Sequence, residues 1–468
     1  MISPRLRPML SSFPAIAPKP LDRKWNCPMK ITDLPLMARH FLSARWNWQH
    51  LRGPALERYQ ERRAQQIVAY ALQHSPFYRN HWANHDPGSW RTLPTVDKRL
   101  MMAHFDTFTT RGIKRDVAME VALRAEQSRD FAPLLNDLTV GLSSGTSGHR
   151  GLFLVSPAEQ AGWAGTILAR VLHGWRPHHL HVAFFLRSNS NLYEQVGGTF
   201  IQFRYFDLMF PLEEAVARLN AFQPHIVVGP PSLLSMLASE RSKDKLRIMP
   251  ERLISVAEVL EDHARQAIET IFSVRVQQIY QCTEGLLAVS CQRGALHIQE
   301  DIVMLQFEAL EGSEDRLVQP IITDLWRKTQ PIIRYRLNDL LELDPAPCVC
   351  GSGFRVIRAI EGRSDDICYF ETLTGELRPF FPDTIRRMIL LASPDITDYQ
   401  VVQERNGQLH IYLQTEPGAS FERVAQLVRA SVAATIAQYA CRSADVEIEP
   451  GLPPALPGKK LRRVRRLQ

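Results

Sequence analysis

Leu142-Ser143-Ser144-Gly145-Thr146-Ser147-Gly148-His149-Arg150-Gly151 lies between two apolar runs, residues 137–141 and 152–155. Glycines let a backbone fold back closely enough to aim several N–H groups at an anion. The hydroxyls of Ser143, Ser144, Thr146 and Ser147 add donors, and Arg150 adds charge. Strand, small hydroxylic loop, strand is the composition of a phosphate grip. It is not a Walker loop, which ends in Gly-Lys-Ser/Thr and opens directly into a helix. The same residues also suit a Ser/Gly hairpin with no ligand.

Downstream of the loop, strand and helix patterns alternate. Residues 156 to about 172 read as a capped helix, 181–186 as a buried strand and 213–221 as a helix. A strand at 226–229, a helix at 233–238 behind Pro230-Pro231-Ser232, a strand at 253–256, a helix at 263–272 and a strand at 274–280 follow. That alternation predicts an α/β layer structure with parallel strand pairing. Upstream, residues 34–73 are largely helical, and 93–98 form a turn opening another helix, with Thr95 as its expected cap. Residues 1–28 are rich in Pro, Ser and Arg without periodicity; they read as a flexible extension, and Met29 would serve equally well as a start. Past Asp366 two strand patterns flank Asn406-Gly407, a hairpin signal, followed by a helix at 421–437 and a strand at 445–448. The expectation is a large, multi-layered N-terminal α/β domain with mixed and parallel sheets and a small C-terminal α+β domain, divided near 365.

The chain has 468 residues, enough for two or three cores, and a net charge of +7. Residues 458–468 carry +6 and residues 1–30 carry +5, which leaves the body between them at −4. Basic ends on a mildly acidic body argue against a nucleic-acid footprint. There is no apolar run of membrane-spanning length and no signal-peptide core. Seven unevenly spaced cysteines predict a reducing compartment, hence the cytoplasm. Monomer and homodimer are both compatible with these features.

Four further stretches line up behind the loop: Tyr280-Gln281-Cys282-Thr283-Glu284-Gly285, Arg334-Tyr335-Arg336-Leu337-Asn338-Asp339, Gly362-Arg363-Ser364-Asp365-Asp366 and Gly458-Lys459-Lys460-Leu461-Arg462-Arg463-Val464. Taken singly, a loop Glu is usually solvated, GRSDD suits a surface turn, and a basic tail is usually only a tail. In this order they resemble the adenylate-forming superfamily over about residues 60–468, and within it the phenylacetate–CoA ligase branch. Pro230-Pro231-Ser232 and Val256-Ala257-Glu258 match that branch as well, and the chain most resembles its group related to deazaflavin-adenylating synthetases.

The resemblance implies that Ser143, Ser144, Gly145, Thr146, Ser147 and Gly148 hold the β- and γ-phosphates of ATP. It gives Glu284 to Mg²⁺, Thr283 to the α-phosphate, Tyr280 to the adenine face, Asp339 to the ribose hydroxyls and Arg363 to ribose or phosphate. Asp365 becomes the hinge, so that 29–364 is the ATP- and acid-binding domain, 365–366 the hinge and 367–468 the small mobile domain. Lys460 becomes the lysine that bridges carboxylate and α-phosphate, with Lys459 the competing register. An acyl pocket is implied around Phe184, Tyr193, Ala257, Glu258 and Gln281. Three departures stand out. His149 replaces the usual loop lysine, with Arg150 as a substitute charge; Asn338 replaces a common glycine; and residues 367–376 replace a glycine-rich run, which leaves coenzyme A as acceptor open.

Cys291, His297, Cys348 and Cys350 match the donor set of a closed structural zinc site, although Cys-x-Cys is tighter than the usual spacing. Buried thiols without metal are the alternative. The predicted activity is a MgATP-dependent ligase that adenylates a small aryl or medium-chain carboxylic acid and passes it to CoA or a carrier-protein thiol. A nucleotidyl transferase placing AMP on a hydroxyl, and a nucleotide-binding module without turnover, are the alternatives.

Overall fold

Strands buried on both faces need helices on both sides of their sheet, and the strands after the glycine loop have that character. The computed structural model describes residues 34–128, 133–143, 151–172, 179–186, 201–208, 211–310, 316–453 and 462–467. Strands β1 (Leu134–Leu135), β2 (Leu138–Leu142) and β3 (Leu152–Val155) form a small antiparallel sheet that carries the glycine loop between β2 and β3. Strands β4 (Leu180–Leu186), β5 (Ile201–Asp207), β6 (Ile226–Gly229), β7 (Arg252–Val256) and β8 (Val276–Cys282) pair in parallel, in the order β5-β4-β6-β7-β8. All four residues of β6 are buried. The helices Leu212–Phe222, Pro231–Ser242 and Asp262–Phe272 cover this block, and Leu219, Leu237, Ile268 and Phe272 share one core with Phe185 and Val227.

The sheet does not end at β8. It continues antiparallel through β9 (Gly285–Ser290), β10 (Leu296–Ile298), β11 (Val303–Ala309), β12 (Leu317–Asp324), β13 (Tyr335–Arg336), β14 (Asp339–Asp344) and β15 (Val356–Arg363), making a mixed sheet of twelve strands among the described residues. The N-terminal helical region packs on this second half, with Ile67, Tyr78, Trp82 and Trp90 in one core with Ile322 and Tyr335. That region is two helices, Leu34–His50 and Gly53–His74, because Arg52 takes an extended backbone and Pro54 starts the second. The helix Pro157–Val171 begins with a capping box between Ser156 and Glu159.

One expected cap is corrected. The helix Lys98–Ala103 is capped by Asp97, whose carboxylate accepts from the Leu100 N–H at 2.7 Å, and not by Thr95. Val96 bridges to Tyr335 and exchanges backbone hydrogen bonds with Arg334 and Arg336, so the chain stays extended past Thr95.

A second core lies wholly within residues 368–464. It joins β16 (Cys368–Glu371) and β17 (Leu377–Phe380) to a sheet of β18 (Ile396–Arg405), β19 (Gln408–Thr415), β20 (Asp445–Pro450) and β21 (Val464–Arg466), ordered β20-β19-β18-β21. Gly407 turns the β18–β19 hairpin at φ +78°. The basic tail is not merely solvated, since Val464–Arg466 pairs in parallel with β18. Among the described residues no helix is long and apolar enough to cross a membrane.

Candidate functional site

The loop's base is fixed by backbone and side chain together. Ser143 and Gly151 close it with an N–H···O bond of 2.7 Å, and the Ser143 hydroxyl accepts the Gly151 N–H at 2.7 Å. A Cβ at Gly141 would come within 2.1 Å of the Phe153 ring, so the narrow base needs a glycine there. Ser144, Gly145, Thr146, Ser147, Gly148, His149 and Arg150 lie outside the described residues.

Lys98, from the helix start corrected above, donates to the same Ser143 hydroxyl at 2.9 Å, and a Cβ at Gly151 would meet its Cε at 2.9 Å. Burial lowers the Lys98 pKa and the Glu284 carboxylate opposes that shift; Arg363 and Asp365 are also close enough to act on it. A lysine at the base of the glycine loop, facing Glu284, was missed from sequence. The available signal was a lysine three and four residues before Met101 and Met102, with no acid at those spacings to pair with it.

Thr283 and Glu284 form the two-residue turn between β8 and β9, where Cys282 pairs with Gly285. This is the carboxyl end of the parallel block, where open α/β sheets bind ligands. Glu284 is 8 % exposed and accepts from the Thr283 hydroxyl at 2.8 Å. Buried Arg327, also missed from sequence, ties this turn to the glycine loop by donating to the Thr283 carbonyl at 2.6 Å and to the Leu154 carbonyl at 3.2 Å. Asp324 accepts from the Trp326 and Arg327 N–H groups, and burial pushes its carboxyl up to about 6. The buried Tyr335 hydroxyl faces the Glu284 carboxylate, and burial followed by the Glu284 charge raises its pKa.

Register brings the next pair together. Asp339 opens β14 directly opposite Arg363 at the end of β15, with Nε 3.5 Å from Oδ1. The Tyr280 hydroxyl donates to the other Asp339 oxygen. Burial and then the Asp339 charge keep that phenol protonated, hence a donor. Asn338 donates to Asp365 at 2.6 Å, and its carbonyl accepts the Ser364 N–H at 2.7 Å. The tail re-enters here: Arg462 pairs with Asp366, and burial followed by Arg363 lowers its pKa to about 10. Arg463 lies 2.9 Å from Asp398 and 3.6 Å from Glu261 of the large domain. Lys459 and Lys460 are outside the described residues.

The residues expected at an acyl pocket are placed one by one. Phe184 is buried at 7 % exposure with its ring 5.3 Å from that of Phe203. Gln281 accepts the Trp163 indole N–H at 3.2 Å. Ala257 holds φ +71° beneath a Glu258 N–H to Val256 C=O bond of 2.9 Å, a strained three-residue turn at the carboxyl end of β7. The Glu258 carboxylate accepts the Ser232 N–H at 3.4 Å. Tyr193 is outside the described residues.

A second cluster stands away from this site. One donor atom each from Cys291, His297, Cys348 and Cys350 lies within 4.8 Å of the others. His297 Nδ1 is 2.9 Å from the Phe354 carbonyl and Nε2 is 3.4 Å from Cys350 Sγ, so the first bond turns Nε2 inward. Backbone N–H groups of Arg293 and Cys350 point at the sulfurs of Cys291 and Cys348. Burial, followed by the neighbouring thiols, pushes Cys350 up to about 12, and a divalent cation would reverse this by deprotonating its ligands.

No family model matches the chain. It is 26% identical over 254 residues to the phenylacetate-coenzyme A ligase of Pseudomonas putida, covering 51% of this chain and 56% of that one. It is 24% identical over 383 residues to the phenylacetate-coenzyme A ligase of Thermus thermophilus, covering 75% and 78%. Its fold superposes on 2-hydroxyisobutyryl-CoA ligase in the postadenylation state with a TM-score of 0.65 and 18% identity, over 89% of this chain and 91% of that one. The chain therefore shares its fold with 2-hydroxyisobutyryl-CoA ligase and is similar in sequence to phenylacetate-coenzyme A ligases.

Proposed function

We propose that this protein joins a small carboxylic acid to the α-phosphate of ATP, releasing pyrophosphate, and then transfers the acyl group to a thiol such as that of CoA. The observation that carries this reading is the convergence of Ser143, Lys98, Thr283, Glu284, Asp339 and Arg363, from five separate parts of the chain, around the loop base and the carboxyl end of the sheet. Such a reaction needs anions brought together in line, so its catalysis is positioning plus charge stabilisation. Lys98 and Arg363 supply fixed positive charge for phosphate oxygens. Asp339 orients the ribose through its oxygens, held by Tyr280 and Arg363.

Glu284 suits Mg²⁺: it is a buried carboxylate with one oxygen held by Thr283 and the Tyr335 hydroxyl beside it. The cation would neutralise phosphate charge. Asp365, braced by Asn338, serves as the hinge about which residues 367–468 move. Trapping with hydroxylamine tests the first half-reaction: an acyl hydroxamate should form only with acid, ATP and Mg²⁺ together. Hydroxamate formation without ATP, or none with any acid, would refute it.

Two outcomes follow at once. Asp339→Ala should weaken ATP binding by ~1–3 kcal/mol, the range for a hydrogen bond to a charged group; unchanged affinity in calorimetry would remove Asp339 from the site. The Cys/His cluster should hold about one zinc ion per chain, in a closed structural site. Elemental analysis of protein purified without chelator checks this, and negligible zinc would leave the cluster as buried thiols.

A further inference from the structure

The strands that end at the nucleotide site begin at a second cavity. Arg252 opens β7, Arg275 immediately precedes β8, and both line a space of about 470 Å³ together with Arg45, Arg170 and Arg293. Gln277 lines it too, six residues before Thr283 along β8, so at ~3.3 Å per residue the cavity lies roughly 20 Å from the Thr283-Glu284 turn. Cys350 of the Cys/His cluster forms part of the wall.

The five arginines are not equivalent. Arg170 is neutralised, since its Nη2 donates to both oxygens of buried Asp301 at 2.8 and 2.7 Å. Arg252 donates to the Val171 carbonyl and feels Glu251, the carboxylate on the wall. Arg45, Arg275 and Arg293 have no carboxylate partner among the described residues. Arg45 lies 5.6 Å from the centre of the Phe41 ring, and Arg275 packs over Gly294, where a Cβ would meet its Cδ at 3.1 Å.

Guanidinium groups converging on a polar hollow repel one another and focus a positive field there. Their planar forks match phosphate oxygens two at a time. We propose that this cavity binds a small molecule carrying two or more phosphate groups, through Arg45, Arg275 and Arg293. Its concavity and volume, within the range of small-molecule sites, favour such a ligand over the flat acidic face of a protein.

The probe is inorganic tripolyphosphate, titrated calorimetrically into the full chain at about 0.15 M ionic strength, where diffuse surface attraction is largely screened. The wild type should show two classes of site, one here and one at the nucleotide loop. Arg275→Ser with Arg293→Ser should weaken one class at least tenfold and leave the other. Both residues are exposed, so the fold should survive, and a thermal melt checks that. Should the serine pair misfold, Arg275→Lys with Arg293→Lys decides, with a loss of a few-fold expected from the missing forks. Arg423→Ser with Arg429→Ser, on a distant helix, is the control. The proposal is overturned if the cavity variants bind as the wild type does, if the wild type has no site that they affect, or if the control pair weakens binding equally. A failed nucleotide site would look different: the wild type would then have one class of site, and the serine pair would abolish it.

Discussion

Lys460→Ala should slow acyl-adenylate formation by roughly two orders of magnitude or more, the scale of losing one preorganised electrostatic donor. The argument starts from where the tail returns. Arg462 pairs with Asp366 beside Arg363 and Asp365, next to the proposed ribose and phosphate contacts. In the sequence Lys460 stands two residues before Arg462. A carboxylate and a triphosphate approaching one another gain most from a cation when water is excluded. Pre-formed acyl-adenylate should still be consumed by the thiol acceptor, because that step needs no charge at an attacking carboxylate. Lys459→Ala is the control. If it alone abolishes adenylation, the register is one residue off; if neither lysine matters in an active enzyme, the tail has no part in the chemistry.

Lys98→Ala should lower kcat/KM for ATP by about a hundredfold, near the lower end of that same range. The Ser143 hydroxyl already accepts Lys98 Nζ at 2.9 Å, and the loop itself carries no lysine. Lys98 would therefore supply the fixed cation of the phosphate grip from outside it. The sign with pH follows from its lowered pKa. The charged form is present below that value and lost as pH rises through it, so kcat/KM should fall on the alkaline side earlier than an ordinary lysine would cause. Lys98→Arg should move that alkaline limb out of range while retaining activity. An unchanged pH profile in Lys98→Arg, or full activity in Lys98→Ala, would assign the charge elsewhere.

The interdomain contact bears on both results. Glu261 and Glu361, outside the second core, face Arg463 and Arg386 at 3.6 and 2.5 Å. All four side chains are at most 24 % exposed, so the pairs are little screened. The proposed swing about Asp365 would have to break them.

Much of this was legible in the chain because the signals are local. The strands β4, β6, β7 and β8 and their covering helices follow from apolar runs and their spacing, and the β18–β19 hairpin from Asn406-Gly407. The antiparallel extension from β9 to β15 was not, because its register depends on pairings such as Asp339 with Arg363 that no window contains. For the same reason the sequence offered Asp339, Tyr280 and Arg363 as separate candidates, and only the sheet makes them one cluster. Lys98 was hidden by a span of 45 residues to Ser143, and Arg327 by a span of 173 to Leu154. The tail strand β21 was masked by its charge: Arg463 and Arg465 flank one buried apolar residue, Val464, and its parallel pairing with β18 supplies what its own composition does not. The Cys/His set was readable by donor type, whereas the inward turn of His297 Nε2 came only with the Phe354 carbonyl.

The most direct test of the central claim is ATP–pyrophosphate exchange across a panel of aryl and medium-chain carboxylic acids, run with Mg²⁺ and without any thiol. The account predicts that labelled pyrophosphate enters ATP only when a suitable acid is present, and that Asp339→Ala and Lys460→Ala both depress this exchange. Acid-independent exchange, or none with any acid in protein that binds ATP normally, would contradict it.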